Sequence, residues 1–190
     1  RADSPWKTAR EFMAYAKSKP GALTFGSSGN YGTMHVPIEM LKQASGTFMV
    51  HVPYTGAGPA VVGLLGGQVD ALATGPSTIV QQVKAGRLRA LAHWGEGRLA
   101  ALPDVPSLKE LGYPVGFSQW AGLFAPAGTP EPVIARLREA AKKAAEDERV
   151  VRTILTAGTP MQYQDAPEFS RFVAADAATM AGVVRRIGKQ

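Results

Sequence analysis

The chain has 190 residues, of which 45% are hydrophobic and 19% are charged, with 21 Lys and Arg against 15 Asp and Glu and no cysteine. This length corresponds to one large domain or two small ones, enough to bury a core. The lack of cysteine excludes a disulfide-stapled scaffold and removes the ligands of most structural zinc sites. No apolar run is long enough to cross a bilayer. The basic residues are dispersed, so we expect no nucleic-acid partner despite the net charge of +6.

The first half of the chain alternates between helical and strand patterns. The helical patterns cover residues 4–19, 33–43, 58–65 and 77–84, and the strand patterns cover residues 22–25, 48–54, 69–73 and 88–93. Short joints marked by Gly or Pro separate them. This alternation predicts an α/β fold with a mostly parallel sheet flanked by helices.

After residue 93 the pattern changes. We predict a loop with a short helix over residues 95–112, a strand crossing between regions at 115–125, and helices over 130–146, 149–156 and 166–187. The helix over residues 130–146 carries a clear apolar stripe. Because this region has three helices and at most two strands, we expect it to belong to a layer whose sheet is supplied elsewhere.

The most informative segment is the Gly- and Ser-rich loop of residues 25–33, which follows a strand and leads into a helix. Its small residues let the backbone approach a ligand closely. Pro37 is tolerated only in the first turn of a helix, so that helix cannot start far upstream of Thr33. The free N–H groups of the helix therefore face the loop and suit a carboxylate or phosphate oxygen, with Ser27, Ser28 and Thr33 adding hydroxyl donors. A tight βα turn with Thr33 as an ordinary N-cap is an equally weighted interpretation.

Enzymatic templates fail when tested against the chain. The segment of residues 26–30 ends in Asn30 instead of the glycine of a nucleophile elbow, and residues 56–61 lack the third glycine of a dinucleotide fingerprint. His35, His51 and His93 are too dispersed to assemble a metal site. We therefore predict no catalytic residue, no metal and no cofactor.

Six segments occur in an order that is more specific than any one of them. They are Ser-Ser-Gly-Asn-Tyr-Gly-Thr at 27–33, His-Val-Pro-Tyr at 51–54, Leu-Leu-Gly-Gly-Gln-Val-Asp at 64–70, Ala-Gly-Arg-Leu-Arg-Ala-Leu-Ala at 85–92, Ala-Leu-Pro-Asp-Val-Pro at 101–106 and Gly-Leu-Phe-Ala-Pro-Ala-Gly-Thr-Pro at 122–130. Together they closely resemble the solute receptors of tripartite tricarboxylate transporters, the Bug receptors. The resemblance covers nearly the whole chain.

The resemblance implies a two-lobed periplasmic binding protein of the type II kind, not an enzyme, that closes around a small organic carboxylate and delivers it to transporter membrane subunits. In that family two strand–turn–helix motifs grip the carboxylate, and the loop here aligns with the second. The implied ligand-binding residues are Ser27, Ser28, Gly29, Asn30, Tyr31, Gly32 and Thr33. Tyr54, Thr74 and Ser77 are weaker candidates at neighbouring strand ends and helix starts. Many members have glycine at the position of Tyr31, which makes the size of the ligand uncertain.

The resemblance also predicts the domain organisation. Residues 1–116 correspond to the complete second lobe, 117–125 to a hinge crossing, and 126–190 to the C-terminal helical part of a first lobe that is only partly present. The expected remainder is a missing N-terminal segment of the same receptor, which carries the first carboxylate grip. Two alternatives stay open: an enzyme acting on an anionic substrate with His35 or His51 as its base, and a ligand-sensing signalling module on the same fold.

Overall fold

A computed structural model describes residues 1–188 and divides the chain into two compact units, Arg1–Gln119 and the part that begins at Trp120. The first unit contains α1 (Ala9–Ser18), β1 (Thr24–Ser27), α2 (Val36–Ser45), β2 (Val50–Pro53), α3 (Ala57–Leu65), β3 (Ala71–Leu72) and α4 (Pro76–Lys84). The second contains α5 (Glu131–Glu146), α6 (Glu148–Thr156) and α7 (Ala166–Ile187). The predicted α/β class is confirmed.

The sheet of the first unit is parallel, with the strand order β2-β1-β3. Phe25 of the central strand pairs with His51 on one side and with Ala71 on the other. Helix α2 connects the neighbouring strands β1 and β2, and α3 connects β2 to β3 on the other side of β1, because parallel strands require a crossover. The carboxyl ends of all three strands therefore meet at one edge.

The core of this unit forms around the central strand. Phe25, Gly26 and Ser27 are all buried, because β1 is covered on both faces. Phe25 packs in a cluster with residues from the helices and neighbouring segments, namely Phe12, Met13, Ala16, Leu23, Ile38, Leu41, Met49, Ala73, Leu108 and Val115. Packing therefore fixes the strand that leads into the Gly- and Ser-rich loop.

Helix α1 begins at Ala9, so the predicted start at residue 4 is wrong. The Thr8 hydroxyl accepts a hydrogen bond from the Glu11 N–H at 3.2 Å, and the Glu11 carboxylate accepts one from the Thr8 N–H at 3.0 Å. This capping box satisfies two N–H groups that would otherwise lack an acceptor, so the helix starts there.

The strand predicted over residues 88–93 does not form; only His93 makes an isolated parallel bridge, with Ser107. The Arg89 guanidinium instead donates to the carbonyls of Ala2, at 2.7 Å, and Trp6, at 3.2 Å. A strand needs a hydrogen-bonded neighbour. Residues 88–92 do not pair with residues 71–74, and both segments line a cavity of about 170 Å³. The crossing predicted over residues 115–125 likewise pairs with no strand of the described chain.

The second unit is helical. The Arg138 guanidinium binds Asp165, the N-cap of α7, through two hydrogen bonds of 3.0 and 2.7 Å, which ties α5 to the start of α7. Trp120 donates to the Asp176 carboxylate at 3.1 Å and packs edge-on against Phe169 and Phe172. The apolar stripe of α5 contains no buried residue. In the described part of the chain, no helix has the length and apolar character needed to span a membrane.

The complete burial of Phe25 leads to a prediction about stability. We expect Phe25→Ala to lower the free energy of unfolding by about 3–5 kcal/mol, since it removes a fully buried ring from the core. Phe48→Ala is the matched control, because the Phe48 side chain is 52% exposed, and we expect it to cost less than about 1 kcal/mol. Urea unfolding of both variants measures the difference, and equal losses would contradict this description of the core.

Candidate functional site

Three helices begin just beyond the carboxyl edge of the sheet, after β1, β2 and β3 respectively. None of the three, α2, α3 and α4, has a side-chain hydrogen bond at its N-cap. No side chain caps the first turn of these helices, and each helix presents its positive dipole end there. This edge is where open α/β sheets place ligands.

Helix α2 begins at Val36, with His35 as its N-cap residue and Pro37 in the first turn. The Gly32 carbonyl accepts from the N–H groups of both His35 and Val36, each at 3.0 Å. This tight turn carries the chain into the helix without a side-chain cap. The interpretation of Thr33 as an ordinary N-cap is therefore wrong.

The loop ahead of α2 holds a row of unpaired N–H groups. Within residues 1–188, the N–H groups of Ser28, Asn30, Gly32 and Thr33 have no hydrogen-bond acceptor. Asn30 and Thr33 are exposed, and Ser28 and Gly32 are half-buried. Unpaired N–H groups at the positive end of a helix are suited to bind an anion.

The Ser27 side chain stabilises the conformation of this loop. Its side chain is fully buried, and its hydroxyl oxygen lies 2.6 Å from His51 Nε2. The same oxygen lies 2.9 Å from the Gly29 carbonyl and accepts from the Gly29 N–H at 3.2 Å. A serine hydroxyl beside an imidazole resembles a nucleophile and its base. Here the serine is shielded from solvent and saturated with bonds inside the turn, so its hydroxyl holds the turn.

Tyr31 has the left-handed backbone conformation, with φ of 59°. It is the one non-glycine residue with positive φ in the described chain. Its N–H donates to His35 Nδ1 at 2.9 Å, and its half-exposed ring tilts against the His35 ring with centroids 5.8 Å apart. Because an L-residue pays about 1 kcal/mol for this conformation, the His35 bond helps to hold it.

His35 and His51 stack in parallel beneath the loop, with ring centroids 3.8 Å apart and planes 5° apart. Burial lowers the pKa of both histidines, and the neighbouring Lys42 charge adds to the effect. The pKa of His51 falls to about 4, since His35 also opposes a second charge. The negative charge of Glu39 partly opposes the lowering of the His35 pKa. Both rings are therefore neutral near pH 7.

The sequence nominated these two histidines only as possible bases. Their pairing depends on strand register, which places His51 beside Phe25, and on the loop that returns His35 over it. No spacing in one sequence reveals that contact. The sequence contained only a weaker signal. His35 follows the Gly- and Ser-rich loop, and His51 lies on the next strand along the chain.

The weaker candidates lie at the other strand ends. Tyr54 is held beside the loop, since its N–H donates to the Ser27 carbonyl at 2.9 Å, but its hydroxyl engages Gln68 at 3.3 Å. Thr74 lines the cavity beside β3, and Ser77 is exposed in the first turn of α4. These residues share the edge with the loop, whose exposed or half-buried residues Ser28, Asn30, Gly32 and Thr33 have unpaired N–H groups.

No group of three or more His, Asp or Glu side chains within residues 1–188 is arranged to hold a metal ion. The loop residues themselves offer only neutral donors, because residues 26–34 include no charged side chain. The arrangement can bind an anion through dipoles and hydrogen bonds.

Comparison with known proteins identifies the family. Residues 1–189 match the tripartite tricarboxylate transporter family receptor, so the chain belongs to that family. A Cupriavidus necator protein described as "UPF0065 protein in gbd 5'region" is 36% identical over 98% of this chain and 57% of its own length. Protein BugT of Bordetella pertussis is 32% identical over 93% of this chain and 54% of its own length.

A solved structure that is similar to this chain carries a ligand. MatC from Rhodopseudomonas palustris, determined with bound malate, is 30% identical, with a TM-score of 0.86 over 97% of this chain and 64% of that one. The resemblance to Bug-type receptors is thereby confirmed. The chain spans little more than half the length of the two relatives named above. Because the matched family consists of solute receptors, the enzyme alternative loses its support.

The lowered pKa of the half-buried His51 predicts how stability changes with pH. The unfolded chain binds a proton at His51 below about pH 6.5, but the folded chain does so only near pH 4. Between these values the unfolded state holds more protons, so the free energy of unfolding falls as the pH is lowered through this window. His51→Gln removes that titration, and we expect its urea midpoint to fall less between pH 7 and pH 4.5.

His35 and His93, whose pKa values burial also lowers, remain in the variant and preserve part of the slope. An unchanged pH dependence in His51→Gln would contradict a depressed pKa for His51.

Tyr31 gives a second stability prediction at the site. We expect Tyr31→Asn to keep the free energy of unfolding within about 0.5 kcal/mol, since asparagine tolerates positive φ. We expect Tyr31→Val to lower it by about 1–2 kcal/mol, since a β-branched side chain does not. Urea unfolding distinguishes the two, and equal stability of both variants would mean that the backbone at residue 31 is not held at positive φ.

Proposed function

We propose that this chain is part of a periplasmic receptor that binds a small organic carboxylate and delivers it to the membrane subunits of a tripartite tricarboxylate-type transporter. The observation that carries the proposal is the row of unpaired N–H groups at Ser28, Asn30, Gly32 and Thr33, ahead of α2. Membership of the receptor family and the malate bound to MatC support the class of ligand.

In this proposal one carboxylate of the ligand lies in the loop. Its oxygens accept from the four unpaired N–H groups, and the hydroxyls of Ser28 and Thr33 add donors. Gly29 allows the turn, with a φ of 127° that other residues rarely adopt. Tyr31, exposed at the tip of the loop, limits the space beside the bound carboxylate.

Binding by neutral donors suits a receptor that must release its ligand. The nearest buried cation, Lys42, is paired with the Glu39 carboxylate at 2.6 Å and so is not available as a direct partner. An anion held by amides and hydroxyls avoids the cost of burying a salt bridge. Selectivity then comes from the geometry of the donors, and release does not require breaking an ion pair.

The proposal assigns residues 1–116 to one lobe, 117–125 to a crossing, and 126–190 to part of the other lobe. The division into units at Gln119 and Trp120 supports this assignment, although the last two residues of the range lie outside the described residues. The partner is the remainder of a receptor of the relatives' length, which closes over the ligand. Tyr54, Thr74 and Ser77 are secondary contacts at the same edge.

A charge placed at the loop tests the proposal. Asn30→Asp puts a carboxylate among the unpaired N–H groups, where it competes with the ligand for these donors and repels it. We therefore expect malate affinity to fall about tenfold or more, equivalent to about 1.4 kcal/mol. Gln43→Glu makes the same chemical change at an exposed position near the other end of α2 and is the matched control. The measurement is the shift in thermal unfolding with malate concentration, which reports affinity by mass action.

The neutral diamide of malic acid is the ligand control, and we expect it to produce no shift. Because one lobe alone supplies half of the contacts, we expect wild-type affinity for malate near the millimolar range, about −4 kcal/mol. Equal malate response in Asn30→Asp and Gln43→Glu, or no response to malate in the wild type, would contradict the proposed site.

A further inference from the structure

We infer that His35 and His51 are positioning residues, which pin the two ends of the loop turn as a stacked pair of neutral imidazoles and thereby set its affinity for a carboxylate. The affinity part of this inference rests on the proposed function. The pinning of the turn does not, and it can be measured without a ligand.

Each histidine holds a different end of the turn of residues 27–31. His51 Nε2 lies 2.6 Å from the Ser27 hydroxyl, which in turn bonds both backbone groups of Gly29. His35 Nδ1 accepts from the Tyr31 N–H at 2.9 Å. The rings that make these two bonds lie against each other, so displacing one ring disturbs both ends of the turn.

The bond to Tyr31 fixes the protonation state of His35. An imidazole nitrogen that accepts a hydrogen bond carries no proton, so the proton of neutral His35 is on Nε2, which faces the Glu39 carboxylate at 3.6 Å. Protonating Nδ1 would turn the acceptor into a donor aimed at the Tyr31 N–H. The turn can therefore keep this bond only while His35 is neutral.

Burial, which lowers the pKa of both histidines, keeps the pair neutral, and the pairing of Glu39 with Lys42 limits the opposing effect of the Glu39 charge. Lys42 Nζ lies 2.6 Å from Glu39 Oε1, and both side chains are buried, so much of the Glu39 charge is neutralised before it reaches His35. Lys42 also lies over the rings of Phe25 and Phe48, at 5.5 and 5.0 Å from their centroids. The ionisable groups that face the histidines are thus Glu39 and Lys42 from α2, the other histidine, and the Tyr31 phenol.

His35 acts without touching the ligand. His35 is 5% exposed and lies beneath Tyr31, so an anion at the unpaired N–H groups cannot reach its ring. What the pair controls is the direction in which those N–H groups point. A loosened turn must be reordered on binding, and that ordering lowers affinity.

Two substitutions of His35 separate the effect of its hydrogen bond from the effect of its ring. His35→Asn keeps an acceptor near the position of Nδ1 and removes the titration, whereas His35→Phe keeps a ring and removes the acceptor. In the ligand-free chain we expect the Tyr31 amide proton to exchange with solvent about threefold to tenfold faster in His35→Phe, the loss of one net hydrogen bond, and within about twofold of wild type in His35→Asn. His51→Gln and His51→Phe form the equivalent pair, read at the Gly29 amide.

A pH series tests the requirement for neutral imidazoles. In wild type we expect the Tyr31 amide resonance to move upfield between pH 7 and pH 4, as the bond to His35 is lost, and to stay in place in His35→Asn.

We expect malate affinity at pH 7 to fall about threefold to tenfold in His35→Phe and to recover within about twofold in His35→Asn.

An unchanged Tyr31 amide in His35→Phe would overturn the inference. Equal malate affinity in the Phe and Asn variants would overturn it as well, because a merely structural ring would not distinguish them. If wild type binds no malate, the proposed function fails, while the Tyr31 and Gly29 amides still decide whether the histidines pin the turn.

Discussion

Pro37 fixes where α2 can begin, and the geometry of the candidate site follows from that constraint. A proline has no N–H and is compatible only with the first turn of a helix, so Pro37 donates no hydrogen bond to the Thr33 carbonyl and α2 does not continue upstream as regular helix. The preceding strand is held by the packing of Phe25 and cannot move to close the gap. The loop between them must therefore cross the carboxyl edge of the sheet with several N–H groups unpaired. Those groups form the proposed site.

A loop with so many free donors would be mobile unless something else held it. In this structure the support comes from below, through the Ser27 hydroxyl, the two stacked histidines and the buried Glu39–Lys42 pair. Placing the polar support under the loop leaves its outer face free for solvent or an anion. The same arrangement explains why Ser27, which has a side chain suited to ligand binding, is fully buried instead. The loop is thus built from two layers, with side-chain bonds inside and unpaired backbone donors outside.

Part of this organisation was predictable from the sequence. The alternation of helix and strand patterns gave the α/β class, and Pro37 with the small residues before it located the loop. The capping box at Thr8 and Glu11 was also readable and would have corrected the start of α1. The segment of residues 88–93 shows a limit of pattern reasoning, since its composition is suitable for a strand but pairing depends on a neighbour at the right distance. The histidine pair was beyond reach for a related reason: it depends on the register that sets His51 beside Phe25.

The central claim is that the unpaired N–H groups of the loop hold a carboxylate, and amide-resolved NMR during a malate titration tests it most directly. We expect the amide protons of Ser28, Asn30, Gly32 and Thr33 to move downfield together along one binding curve, because each gains a charged acceptor. We expect little change at Gly46 and Thr47, beyond the far end of α2. Saturating shifts at residues outside the carboxyl edge of the sheet, with these four amides unmoved, would show that the loop does not hold the carboxylate.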